Sequence, residues 1–408
     1  MTEIGEIPEE WQIKKIKDVS TYVTDGTHKT PHYIKNPQLG VPFISTENIK
    51  PYSNEFDFSR YKRYIDEISY KELSKRAKPE NGDLLISKCG TIGRTQLLRN
   101  DIKIGIFVGL LLLKTNNSII NGQYLEDLLN SDRYRIIMES KSPGSTRKTL
   151  AIGIFKNIAI PLPPLPEQQK IAEILSTADD EIQKVNEQIT LTEQLKKGLM
   201  QKLLTRGIGH TRFKMTEIGE IPEEWGYKPL SEVGQYINGM AFKPSEWRNQ
   251  GLPIVRIENL NDINASFNYY QGEFDSKYIL QNGDILLSWS ASLGVYIWNR
   301  GKALLNQHIF KVIPTENISK QFLYWILHRA IEGLGQATHG STMKHFKKGE
   351  LKQALIVLPP LPEQQKIAVI LSTVDNKIQL LRNKREELNV LKNGLMNDLL
   401  TGKVRVKV

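Results

Sequence analysis

The sequence carries LPPLPEQQKIA twice, at Leu162–Ala172 and at Leu358–Ala368. In the first copy Pro163, Pro164 and Pro166 hold the chain out of helix up to Glu167, although Pro166 is admissible in a first turn. No further proline appears until Pro222. Beyond the prolines the apolar positions are Ile171, Leu175, Ala178, Ile182, Val185 and Ile189, then Leu195, Leu199 and Leu203. The second copy has Ile367, Leu371, Val374, Ile378 and Leu381, then Leu388, Leu391, Leu395 and Leu399. The first five of each set alternate steps of four and three, which is a coiled-coil seam. Gly207 and Gly402 are the C-terminal stops. About 37 residues at 1.5 Å each predict two rods of roughly 55 Å. With a whole module between them, the rods are expected to bury their stripes on each other as an antiparallel pair related by a pseudo-twofold. Two helices that each pack on their own module remain the alternative.

A second block, MTEIGEIPEEW, also occurs twice, at Met1–Trp11 and Met215–Trp225. Between these blocks the copies align throughout. Gly40–Ile49 matches Gly251–Leu260, Asn81–Ser87 matches Asn282–Ser288, and Gly144–Thr146 matches Gly340–Thr342. The separation only shrinks along the chain, so the second copy has lost interior residues while its ends stayed nearly identical. Copies of about two hundred residues exceed any solenoid repeat. The chain is therefore read as an α+β tandem duplication of a globular module plus a long helix. The expected bounds are 1–160 and 208–356 for the modules, 161–207 for the central helix and spacer, and 357–408 for the C-terminal helix.

Within each copy, Asn-Gly-Asp before an apolar run marks a turn into a strand. Strands are expected at Val41–Ser45, Asp83–Ser87, Ile254–Ile257 and Asp284–Trp289, and again at Asn157–Pro161 and Ala354–Leu358. Helical patches are expected at Gln123–Glu139 and Ser319–Ile331. The apolar run Ile104–Leu113 is too short to cross a membrane and reads as a buried strand pair or core element. No apolar run reaches eighteen residues, and the acidic opening MTEIGEIPEE does not read as a signal peptide. The single cysteine, Cys89, cannot form an internal disulfide, which fits a reducing cytoplasm. A formal charge of +10 and a pI of about 9.3 favour a polyanionic partner, most often nucleic acid.

Signatures of catalysis are mostly absent. The sequence has neither a G-x-x-x-x-G-K-[ST] loop nor a G-x-G-x-x-G fingerprint. Each Pro-Pro pair lies in Leu-Pro-Pro-Leu, which lacks the polar and aromatic neighbours an amino-methyltransferase needs around its target base. Asp132 with Glu139-Ser-Lys141 falls on a helical stretch, has no counterpart in the second copy, and reads as solvated helix charge. Pro31 separates His28 from His32, so a zinc site is not expected there.

Signals for binding are stronger. Asp25–Pro31 (DGTHKTP) is a turn presenting Gly26, Thr27, His28 and Lys29. Gly144-Ser145-Thr146-Arg147-Lys148 recurs as Gly340-Ser341-Thr342-Met343-Lys344, followed by His345, Lys347 and Lys348. Backbone N–H, hydroxyl and cation together suit phosphate oxygens. Lys88, Thr91 and Arg94 follow the Asn-Gly-Asp strand of copy one, where copy two has Trp289, Ser290 and Ser292. Arg256 and Asn259 carry groups suited to base edges. Glycine and serine turns that do nothing more than turn remain the plain alternative.

Taken together, the doubled LPPLPEQQKIA leading into a long helix, the IPEEW openings, the Asn-Gly-Asp strands and the DGTH turn resemble the specificity (S) subunit of type I restriction-modification systems. The resemblance covers essentially the whole chain. Asn238-Gly-Met-Ala-Phe242 is the second copy's variant of the DGTH position. The resemblance implies two target recognition domains joined by an antiparallel two-helix coiled coil. Each domain would read half of a split, asymmetric double-stranded DNA target in the major groove. The helices would set the spacing and dock two methyltransferase (M) subunits. Two restriction/translocase (R) subunits would join where restriction is part of the system. S-adenosylmethionine, ATP and Mg would belong to those partners, and this chain would hold no cofactor and perform no catalysis. Half-sites one turn apart lie about 34–36 Å from each other, within reach of a rod of roughly 55 Å. Two other readings stay open from the residues themselves: a stand-alone enzyme on DNA, and a coiled-coil scaffold for proteins only.

Overall fold

A computed structural model describes residues 6–144, 148–290, 293–337 and 354–407. The chain forms two compact units, Met1–Glu187 with Arg382–Val408, and Gln188–Leu381. The division runs through the middle of both long helices.

The first long helix is Leu165–Arg206, 42 residues, and the second is Leu361–Leu399, 39 residues. At 1.5 Å per residue they measure about 63 and 58 Å, longer than the expected 55 Å. Part of the difference lies at the N-termini. Pro164 and Pro360 stand just outside, and their carbonyls accept the N–H groups of Glu167 and Gln168, and of Glu363 and Gln364. Pro166 and Pro362 therefore sit inside the first turn, where a missing N–H costs nothing. Past the helices Gly207 and Gly402 adopt φ of 65° and 73°, the left-handed stop that glycine makes without strain.

The repeated blocks bind each other within each unit. Trp11 Nε1 donates to Glu167 at 3.0 Å, and Trp225 Nε1 donates to Glu363 at 2.8 Å. Gln168 accepts from Asn121 N and donates to the carbonyls of Ile119 and Pro163. Gln364 makes the same three bonds with Ser319, Asn317 and Pro359. The Glu-Gln of LPEQQ thus ties the helix start to the opening tryptophan and to the next helix of the module. Glu167, Gln168 and Gln364 are buried and Glu363 is partly so, and a substitution would strand their partners.

Each unit also holds antiparallel helix segments. In the first, Ile171 and Leu175 share a core with Met396, Leu399 and Leu400. In the second, Ile367 and Leu371 share one with Met200, Leu203 and Leu204. Val185, Ile189, Ile378 and Leu381 are buried as the seam predicts, while Ile182 and Val374 are partly buried. The seam fails at Leu195 and Leu391, which are 54% and 55% exposed. The residues that follow them, Lys196 and Lys392, turn inward to Asp375 and Asp179 instead.

The modules share one plan. In the first unit Ser20–Asp25, Leu110–Thr115, Leu84–Ser87 and Thr95–Leu97 form an antiparallel sheet in that order. In the second the order is Gly234–Asn238, Ile309–Pro314, Ile285–Ser288, Gly294–Ile297. A second sheet has Val41–Ile44 parallel to Gly105–Ile106, and Leu252–Val255 parallel to Ala303–Leu305. The first sheet is covered on both faces. Leu84 and Ile86 enter one core and Leu85 another, by the two-residue alternation of a strand. That double burial accounts for the apolar run at Ile104–Leu113, which forms Gly105–Ile106 and the start of Leu110–Thr115. The helical patch expected over Gln123–Glu139 is two helices, Gly122–Asn130 and Asp132–Ser140, because Ser131 caps the second by accepting from Tyr134 N. No helix among the described residues is long and apolar enough to cross a membrane.

Candidate nucleic-acid interface

The DGTH turn of the first module and the NGMA turn of the second are built by the same bonds. Gly26 N donates to Leu110 O, Thr27 N to Ile106 O, and Val108 N to Thr27 O. Gly239 N donates to Ile309 O, Met240 N to Leu305 O, and Gln307 N to Met240 O. Each glycine is required by close approach. A Cβ on Gly26 would lie 2.2 Å from Ile106 O, and one on Gly239 would lie 2.1 Å from Asn306 O.

On this shared backbone the side chains differ. Asp25 is buried, with its side chain 3% exposed, and accepts from Lys88 Nζ at 2.5 Å, from Arg76, and from His28 Nε2 at 3.1 Å. Burial opposes its charge, but the Lys88 ammonium and the Arg76 guanidinium outweigh burial and hold the carboxyl below its usual range. The second module has Asn238 at the place of Asp25, Ala241 at that of His28 and Trp289 at that of Lys88. Trp289 packs on Phe310 and His308 at 6.1 and 5.8 Å between ring centroids. A charged cluster in one module is thus an aromatic one in the other.

Several expected contacts take other roles. Lys88 does not face solvent for a phosphate. Its side chain is 11% exposed and its charge is spent on Asp25. Asn259 does not present a base-reading amide. It is buried, its Oδ1 accepts from Arg256 N, and its Nδ2 reaches the carbonyls of Ala265 and Ser266. Asn48 does the same in the first module with Ser45 N and the carbonyls of Asp57 and Tyr61. Arg94 is half-buried and donates to Ile49 O. Arg256 lies over the Trp247 ring at 4.8 Å and pairs with Glu258. Trp289 is half-buried, as is Ser290, and Gly26 is buried. Thr27 is partly exposed, while His28, Lys29, Thr91 and Lys148 face solvent. Ser145, Thr146, Arg147, Ser341, Thr342, Lys344 and Lys347 lie outside the described residues. Among the described residues no group of His, Cys, Asp and Glu is arranged to hold a metal ion.

Sequence reading missed Arg76, whose partner Asp25 is distant in the chain. It also missed Arg60-Tyr61-Lys62-Arg63-Tyr64, although cations interleaved with aromatics are a signal of nucleic-acid binding that needs no structure.

Comparison with known proteins follows the same duplicated plan. A model of the type I restriction modification DNA specificity domain matches residues 8–193 and again 222–390. The type I restriction enzyme MjaVIII specificity subunit of Methanocaldococcus jannaschii is 31% identical, over 98% of this chain and 94% of its own length. The putative MjaX specificity subunit of the same organism is 29% identical, over 100% and 96%. The crystal structure of a type I restriction-modification S subunit from M. genitalium has a similar fold, with a TM-score of 0.59 at 14% identity, over 98% of this chain and 99% of that one. With the family model matched once on each copy and a curated relative similar from end to end, the chain belongs to the type I restriction-modification DNA specificity family.

Proposed function

We propose that this chain is the DNA sequence-specificity subunit of a type I restriction-modification complex. Its two modules read the two halves of a split, asymmetric double-stranded target in the major groove. The long helices set the spacing and dock two methyltransferase subunits, with two restriction/translocase subunits added where the system cleaves DNA. The chain is non-catalytic and works in the cytoplasm. S-adenosylmethionine, ATP and Mg belong to the partner subunits, in keeping with a sequence that has no P-loop and no G-x-G-x-x-G fingerprint.

The observation that carries this reading is the pair of equivalent turns at Gly26 and Gly239. The backbone bonds are the same in both, while Asp25, His28 and Lys88 give way to Asn238, Ala241 and Trp289. A frame repeated nearly unchanged suits two copies of one partner, and readers that differ suit two different half-sites. The test is methylation mapping of genomic DNA in a host expressing this chain with its methyltransferase subunit, against a host lacking this chain. A new split N6-methyladenine motif is expected. Soluble, associated subunits with no motif would remove the DNA-reading role.

A further inference from the structure

Within the first module, Arg63 is held in a way that ordinary surface arginines are not. Its guanidinium lies 4.4 Å from the ring centroid of Tyr61 and 5.0 Å from that of Tyr33. Nη2 donates to the Tyr61 hydroxyl at 3.1 Å, and Nη1 donates to the Tyr33 hydroxyl at 3.2 Å. The residue is exposed, and no carboxylate among the described residues forms an ion pair with it. The remaining N–H groups of a planar five-donor fork are therefore free, and the plane is already fixed.

The backbone beneath is fixed too. Asn48 Nδ2 holds the Tyr61 carbonyl at 2.7 Å, and Phe43 N donates to the Arg63 carbonyl at 2.9 Å. Pairing of Pro42 with Tyr64 and of Val41 with Ile65 sets the register. Aromatic contacts connect this platform to the DGTH turn. Tyr33 meets Phe43 at 5.8 Å, Phe43 meets Phe107 at 6.2 Å, and Phe107 bridges Thr27. Arg60 and Lys62, both exposed, add charge on either side.

In the second module the matching register, Pro253 with Tyr269 and Leu252 with Tyr270, puts Asn268 where the first has Arg63. Phe267 and Ala265 stand where the first module has Lys62 and Arg60. Asn259 anchors this stretch as Asn48 anchors the other. The loop is shorter here and Phe267 packs inward against Trp298, but the strand register is kept, and at the Arg63 position the residue changes between two types with different base preferences. Arginine pairs bidentately with guanine O6 and N7, and asparagine with adenine N6 and N7. A phosphate would also accept this fork, but a lysine can replace arginine there as a point charge, so sequence preference, not affinity, separates the two roles.

We propose that Arg63 is a specificity-determining residue that reads a guanine within the half-site taken by the first module. This rests on the function proposed above. The test is methylation mapping of the whole complex carrying Arg63→Ala or Arg63→Lys, beside the unaltered chain. The expected result is that one G·C position, in one half of the motif, relaxes. Discrimination there should fall by about 5- to 150-fold, the worth of one bidentate contact. The other half-site stays as it was. Arg63→Lys keeps the charge and the aliphatic stem, so it folds if any variant does, and it should relax the same position. If methylation falls evenly at every site with the motif unchanged, Arg63 is a phosphate contact and the proposal is overturned. An unaltered motif at full extent overturns it as well. If the unaltered chain gives no motif at all, the DNA-reading function itself fails, and that control separates the two failures.

Discussion

Gly26 and Gly239 are the positions where one added carbon has least room. The obstacle at each is a backbone oxygen, which cannot swing aside. Gly26→Ala should therefore cost about 3 kcal/mol or more in urea unfolding of the first unit. Gly153 has open space around its Cβ position and lies in the helix Ile152–Lys156, so Gly153→Ala should be neutral or stabilising by up to about 1 kcal/mol. His328 gives a second residue-scale expectation. Burial lowers its pKa to about 4, the Lys196 ammonium adds to that, and Asp375 opposes it. The imidazole is folded in neutral between Tyr324 and Trp325. Unfolded it titrates near 6.5, so stability is full above that pH and falls as pH drops toward 4. Between pH 7 and pH 5 the second unit should lose about 2 kcal/mol on this account. Unfolding of His328→Phe at both pH values should show a flatter dependence.

At the scale of elements, the long helices carry one inward lysine each, at equivalent places, and the surroundings differ. Lys392 lies 2.6 Å from Asp179 and over the Tyr52 ring at 3.1 Å, with its side chain 7% exposed. Asp127 is buried nearby with an unpartnered Oδ1, and burial pushes its pKa well up. Asp179 is pushed up by burial as well, against the pull of Lys392. Lys196 pairs with Asp375 and lies 4.9 Å from the Trp325 ring, in a more open setting. Lys392→Ala leaves the largely buried Asp179 without its cation and should cost about 3–5 kcal/mol. Lys196→Ala should cost about 1 kcal/mol or less. Denaturant midpoints of the two variants measure the asymmetry; equal losses would refute it. The same inward turn explains the broken seam. A four-three pattern cannot show that the stripe yields at Leu195 and Leu391 to a charge pair, because the partners Asp375 and Asp179 come from the other helix.

For the whole molecule, the two repeated blocks and the helices they start make a frame that closes on itself in each unit. Trp11 and Arg405 converge on Glu167, the latter through Nε at 2.7 Å and Nη2 at 3.0 Å. Trp225 and His210 converge on Glu363. Everything between Trp225 and Leu358 is then one exchangeable reader, tied in by the strand pair Gly226–Pro229 with Leu355–Leu358. Replacing that stretch with the module of another family member should change one half of the methylated motif and leave the other half unchanged. Methylation mapping of the chimaera reads this directly, and changes in both halves would count against independent readers.

The sequence by itself determined the duplication, the two long helices, the strand after each Asn-Gly-Asp and the family. All of these are written in local periodicity, in proline and glycine punctuation and in repeated letters, none of which needs a distant partner to be legible. The tertiary structure decided which polar residues are free to meet a ligand. Asn259 and Lys88 look available in the sequence, but one clamps a loop and the other neutralises Asp25, because carbonyls and a carboxylate from elsewhere in the chain reach them first. Arg63 is the converse, a residue in a plain basic stretch that Tyr33 and Tyr61 fix in place. Hydrogen-bond satisfaction is a property of three-dimensional neighbours, so a site assembled from such neighbours becomes visible only once the chain has folded.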